Sequence, residues 1–237
     1  MNSRADESAP PVAPVDDIVV VQVWDWPVRL FHWSIVVLVV VAVITAKLGG
    51  NAMTWHMRAG FAVLALVLFR VIWGFVGSRH ARFASFLRGP GPILDYLRAT
   101  AQGRHPVSIG HNPLGGWSVV ALLSVLLIQA TTGLFANDDI ATDGPLVKFI
   151  TKDLSDTFTR YHHRNVWALG GLIGLHVAAV AFHLLVVKEN LVRPMLHGKK
   201  RLHRSLAAQG VDKVPHARAA VLLAASVFVV WWTVSRL

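Results

Sequence analysis

Residues His162–His183 (HHRNVWALGGLIGLHVAAVAFH) place four histidines in a stretch that is otherwise nearly all apolar and carries no carboxylate. A run of this length crosses a bilayer as a helix, and ionisable groups inside a membrane are functional candidates by default. His162 and His176 lie fourteen positions apart, which on an α-helix is about 21 Å of rise and roughly 40° short of whole turns. Their imidazoles therefore share one face at two depths of a hydrocarbon layer about 30 Å thick. His183 returns to that face, whereas His163 is turned away by roughly 140°. Gly170, Gly171, Gly174, Ala178, Ala179 and Ala181 let a second body approach the backbone. The plainer alternative is that these histidines hydrogen-bond between helices. The Gly170-xxx-Gly174 spacing would also permit a close helix contact, but on this helix it fits internal packing better than dimerisation.

With 54% hydrophobic and 15% charged residues, the chain of 237 residues is too apolar for an ordinary soluble domain. It has no cysteine, which excludes disulfides, iron–sulfur clusters and thiol-attached haem. The net charge of +10 could suggest nucleic acid. The basic residues fall between apolar runs, however, and that placement fits membrane lipid at a cytoplasmic leaflet better. The hydropathy pattern predicts an all-α integral membrane protein with five spans, near 30–48, 55–76, 117–136, 164–187 and 217–232. The polar opening SRADESAPPVAP is expected to be disordered. Asp25 is a possible helix cap and Pro27 a first-turn residue of the first span.

Charge sets the orientation. Segment 78–116 carries five Arg and one Asp, and 188–216 carries seven Lys/Arg against Glu189 and Asp212. Segment 137–161 carries five Asp against Lys148, Lys152 and Arg160. The positive-inside rule puts the first two in the cytoplasm and the third outside, so the N-terminus is cytoplasmic and the C-terminus periplasmic. Depth then pairs the histidines: His32 with His176 towards the inside, His56 with His162 towards the outside. Two such pairs suit bis-histidine ligation of two stacked haems.

The spans contain no Asp or Glu, which a zinc, calcium or proton-coupled site would normally add. The auxiliary charges are positive instead: Arg29, Arg58, Arg164 and, level with His176, Arg70. Cationic side chains suit haem propionates. Headgroup contact for Arg58 and Arg164, and snorkelling for Arg70, are the plainer readings. Gly60, one turn after His56, leaves room for a flat ring. His183 is left open between a propionate partner, a quinone-pocket residue and an interfacial histidine. His80, His105, His111, His197, His203 and His216 sit in or beside basic loops and are expected to be solvated.

Arg29-Leu-Phe-His32-Trp33, His56-x-x-x-Gly60, Arg70-Val-Ile-Trp-Gly-Phe, Gly110-His-Asn-Pro-Leu-Gly-Gly116 and His162-x13-His176-x6-His183 resemble the bacterial cytochrome b-561 family. That family includes the cytochrome b subunits of nickel–iron hydrogenases, and the resemblance covers roughly 24–200. It implies a four-helix bundle holding two haems b, with His32, His56, His162 and His176 as iron ligands. It also implies electron transfer between a quinone pool and a redox partner in the respiratory chain of an inner membrane. On this reading 1–27 is a cytoplasmic tail and interfacial entry, 28–200 the di-haem domain, and 201–237 a linker with the fifth helix. The leading expectation is electron exchange between quinone and a periplasmic partner such as a c-type cytochrome. The alternatives are the membrane anchor of a hydrogenase or dehydrogenase complex and, in another class, a non-redox transporter or structural membrane protein.

Overall fold

The computed structural model describes residues 17–104, 106, 108–210 and 214–235. The stretch SRADESAPPVAP and His105 lie outside them. Strand β1 (Ile18–Gln22) precedes α1 (Trp26–Leu48), α2 (Met53–Val76), the short α3 (Phe83–Phe86) and α4 (Pro90–Ala101). Then come α5 (Pro113–Gly133), α6 (Lys152–Phe182), α7 (Val192–His197), β2 (Lys199–His203) and α8 (His216–Ser235). Among the described residues, five helices are long and apolar enough to cross a membrane: α1, α2, α5, α6 and α8.

Local chemistry sets the starts of α1 and α5. The Asp25 carboxylate accepts the Val28 N–H (2.8 Å) with Pro27 in the first turn. The Asn112 side chain accepts the Gly115 N–H (2.7 Å) with Pro113 leading. Helix α6 begins at Lys152, well before the apolar stretch, because helical structure continues through the polar turns of KDLSDTFTRY. Hydropathy marks only the part that a bilayer would cover. At its other end α6 widens into a π-turn over His183–Val187, closed by Lys188 in the left-handed region.

Helix α2 is the central element, packed on α1, α5 and α8, while α6 packs chiefly on α5. Val63, Val67, Leu123, Leu126 and Leu169 form the middle of the core. A second cluster joins Val21, Val23, Trp24, Val28, Phe69, Trp73 and Leu202 at one end of the bundle.

That end is tied by a sheet the sequence reading did not contain. Strands β1 and β2 pair antiparallel, from Ile18 with His203 to Gln22 with Lys199. The β-branched run Ile18–Val21 suits a strand, but KKRLH becomes one only because α7 delivers it there. The turn into β2 requires glycine: Gly198 has φ +80°, its carbonyl accepts from Val23 N (2.8 Å), and a Cβ there would meet the Trp24 carbonyl at 2.7 Å. We call this the sheet end. The opposite end, with residues 49–52 and 134–151, is the loop end.

Candidate functional site

The four histidines meet in two pairs. His32 begins α1 and His176 lies late in α6; their ring centroids are 6.3 Å apart at the sheet end. His56 begins α2 and His162 lies early in α6; their centroids are 6.0 Å apart at the loop end. His163 is exposed, one position round α6 from His162, and their ring centroids are 6.2 Å apart.

At the loop end the ring nitrogens are already oriented. The Nδ1–H of His56 donates to the Ala42 carbonyl (2.8 Å), and that of His162 to the Gln129 carbonyl (2.9 Å). Each bond selects the tautomer whose Nε2 carries the lone pair. The Gln129 side chain lies on the His162 imidazole, its amide nitrogen 3.1 Å from Nε2. Asn165 fixes that amide by donating to Gln129 Oε1 (2.8 Å) and to the Val125 carbonyl (3.0 Å). Gly133 lets α5 close on the same ring, since a Cβ there would stand 3.0 Å from His162 Cε1. The sequence reading missed Gln129, Gly133, Asn165 and Thr132, whose hydroxyl lies 3.3 Å from His162 Nδ1. A Gln and an Asn inside apolar spans were the available signal.

At the sheet end Asp25 is 1% exposed, and besides capping α1 it accepts from Trp73 Nε1 (2.9 Å) and Ser78 Oγ (2.5 Å). Arg70 is 2% exposed and does not snorkel; its guanidinium lies over the Phe83 ring at 5.5 Å. Arg29 donates through Nη1 to the Leu196 carbonyl (2.5 Å). Arg29 Nε, His32 Nδ1 and Arg70 Nη1 are buried without hydrogen-bond partners among the described residues. Arg58 stacks on Trp55 of its own helix at 5.0 Å, and Arg164 is exposed.

His183 joins a polar group of three elements. Its Nε2 lies 3.2 Å from Tyr96 Oη of α4 and 3.4 Å from Asn112 Nδ2, and Asn112 Nδ2 donates to Tyr96 Oη (3.0 Å). Its Nδ1 bonds the Ala179 carbonyl (2.9 Å). Burial, the largest influence on it, pushes the Tyr96 phenol above its ordinary pKa. Nearby, Lys200 bridges Glu189 and the Ser108 carbonyl (2.5 and 2.6 Å).

Not all the loop histidines are solvated. His111 is packed between Trp24 (centroids 4.6 Å) and Phe86 (4.5 Å), with Nδ1 buried. His80 lies against Gly110, and His216 stacks on Trp26 and accepts its indole N–H. His111 and His216 depart from expectation because their segments fold back onto aromatic residues far away in sequence, and His80 because its ring packs against the Gly110 backbone. His197 and His203 are exposed as expected.

The residues fit a flat, anionic, metal-bearing ring. His32 with His176 and His56 with His162, at 6.3 and 6.0 Å between ring centroids, would each offer a haem iron two imidazole nitrogens. A Cβ at Gly60, Gly170, Gly171 or Gly174 would meet nothing within 4 Å, so the backbone beside the histidines is open. The unpartnered N–H groups of Arg29 and Arg70 suit carboxylates.

The family model for prokaryotic cytochrome b561 matches residues 23–198. The chain belongs to the prokaryotic cytochrome b561 family. It is 24% identical over 216 residues to a probable Ni/Fe-hydrogenase 1 B-type cytochrome subunit of Escherichia coli (strain K12), covering 77% of this chain and 92% of the relative. A probable Ni/Fe-hydrogenase B-type cytochrome subunit of Bradyrhizobium diazoefficiens is 22% identical over 213 residues, 76% and 86% of the two chains. A probable superoxide oxidase of Yersinia pestis is 25% identical over 181 residues, 71% and 93%. No solved structure gave a significant match. Family and fold together make this chain a multi-pass membrane cytochrome b that binds haem b and transfers electrons. The expectation of a non-redox transporter or structural protein falls away.

Proposed function

We propose that the chain carries electrons across a bacterial inner membrane as a two-haem cytochrome b, linking the quinone pool to a periplasmic redox partner. The observation that supports this most is the meeting of four histidines from three helices in two pairs, one at each end of α6. His32 and His176 would hold one haem, His56 and His162 the other. Arg29 and Arg70 would face propionates at the sheet end, and Gly60 would leave the space beside His56 open. Bound haem supplies one-electron transfer through the ferric/ferrous couple. On this reading residues 28–200 are the di-haem domain, 1–27 a cytoplasmic tail and entry, and 201–237 a linker with the fifth span.

The basic segments 78–116 and 188–216 argue for a cytoplasmic sheet end. The C-terminus then lies in the periplasm. A reporter active only outside the cytoplasm, fused after Leu237, is expected to be active. A silent fusion there, beside an active one within 137–161, would show that α8 does not cross. At the cytoplasmic end, Tyr96, Asn112 and His183 offer a quinone head group both donors and acceptors.

The periplasmic segment 137–161 suits a partner with basic patches. The Asp138 carboxylate accepts the N–H groups of Thr142, Ile140 and Ala141 (2.8–2.9 Å), which hold it well below the ordinary carboxylate range and keep it charged. Lys152 offsets Asp139 and Asp156. Such a partner is a c-type cytochrome or, on a second reading, a catalytic redox subunit. The hydrogenase-subunit names of the relatives favour the second. The functional test is direct. Added quinol is expected to reduce the b-type absorbance of the purified protein. Haem that dithionite reduces and quinol leaves oxidised would remove the quinone from this account.

A further inference from the structure

The buried side-chain nitrogens without a partner among the described residues are Arg29 Nε, His32 Nδ1, Arg70 Nη1 and His111 Nδ1. All four are at the sheet end. Buried polar groups are nearly always hydrogen-bonded, so several orphans in one region call for a common acceptor. Asp25 is not that acceptor: its oxygens are taken by Val28 N, Trp73 Nε1 and Ser78 Oγ.

His111 is the orphan that no other part of this account uses. Its ring is gripped by Trp24 and Phe86, and the loop carrying it is anchored by the Asn112 cap on α5. A short aromatic path connects it to Arg70. Phe86 meets Phe83 at 5.7 Å, and Phe83 carries the Arg70 guanidinium at 5.5 Å. Burial first, then the charges of Arg70, His80 and His176, push His111 down to about 3. It is therefore a neutral imidazole beside the Arg70 cation, and its Nδ1-protonated tautomer has an N–H to give and no added charge.

We propose that His111 and Arg70 together hold a carboxylate of the haem bound between His32 and His176. His111 is thus a positioning residue of that haem, an inference that rests on the two-haem reading above. The hydrogen bond draws negative charge away from the carboxylate. Without it, more negative charge stays near the iron and the oxidised state is favoured.

The test is a redox titration and resonance Raman spectrum of the purified, haem-loaded full chain. His111→Phe fills the slot between Trp24 and Phe86 without an N–H. It is expected to lower the sheet-end midpoint, as Arg70→Leu is also expected to do, to shift the propionate bending mode, and to leave the loop-end haem unchanged. The double variant should shift by less than the sum of the two, because the residues share one group. His111→Gln, which restores a donor, should recover part of the shift, and it carries the test if the Phe variant does not fold. A His111→Phe protein with two haems, an unmoved midpoint and an unmoved propionate mode would overturn the proposal. An unmoved midpoint with less co-purifying anionic phospholipid would overturn it in favour of a headgroup phosphate. A wild-type chain without haem would sink the two-haem reading instead.

Discussion

Alanine at His176 is expected to abolish the sheet-end haem and leave the loop-end haem in place, and alanine at His32 should do the same. His56→Ala and His162→Ala should remove the other haem. The expectation comes from pairing: each haem would lose one of two axial imidazoles, from rings set 6.3 and 6.0 Å apart. The adjacent His163→Ala should keep both haems, since that side chain is exposed and turned about 100° round α6 from His162. Haem content and the low-temperature spectrum of each variant provide the check. If His163→Ala lost a haem while His162→Ala kept two, the register of α6 would be wrong.

Asp25→Ala is expected to have the largest effect on stability. The change removes an N-cap, worth about 1 kcal/mol. It also strands the buried Trp73 indole N–H and Ser78 hydroxyl, at about 1–3 kcal/mol each. Trp73 is 0% exposed, so water does not replace the lost acceptor. The sum is roughly 3–7 kcal/mol, or a Tm lower by about 6–28 °C for a chain of this size. Asp25→Asn keeps the shape and one acceptor, and should fall between. Thermal unfolding in detergent, followed by circular dichroism, reads the effect. A change in Tm within about 2 °C would mean that Asp25 is replaceable by water.

Much of this arrangement was legible in the sequence because a helix converts spacing into angle and depth. The fourteen-residue step from His162 to His176 placed both on one face, and the alternating direction of successive spans gave each a partner at its own level. What was not legible depends on contacts between distant segments. Asp25 reaches Trp73 and Ser78 across 48 and 53 positions, and read alone it offered only a helix cap. His111 lies in a basic, glycine-containing loop whose aromatic neighbours come from before α1 and from α3. The β1–β2 ladder joins the segment before α1 to the one after α7, and the basic run KKRLH carries no strand signal of its own. Gln129 and Asn165 were visible as polar residues in apolar spans, but only the packing of α5 on α6 brings them to His162.

The central claim is that two histidine pairs hold two haems. Its most direct test is the haem-to-chain ratio of the purified wild-type protein, set beside that of His176→Ala. The account predicts two haems b per wild-type chain and one per His176→Ala chain. A single haem in the wild type, unchanged in the variant, would contradict it.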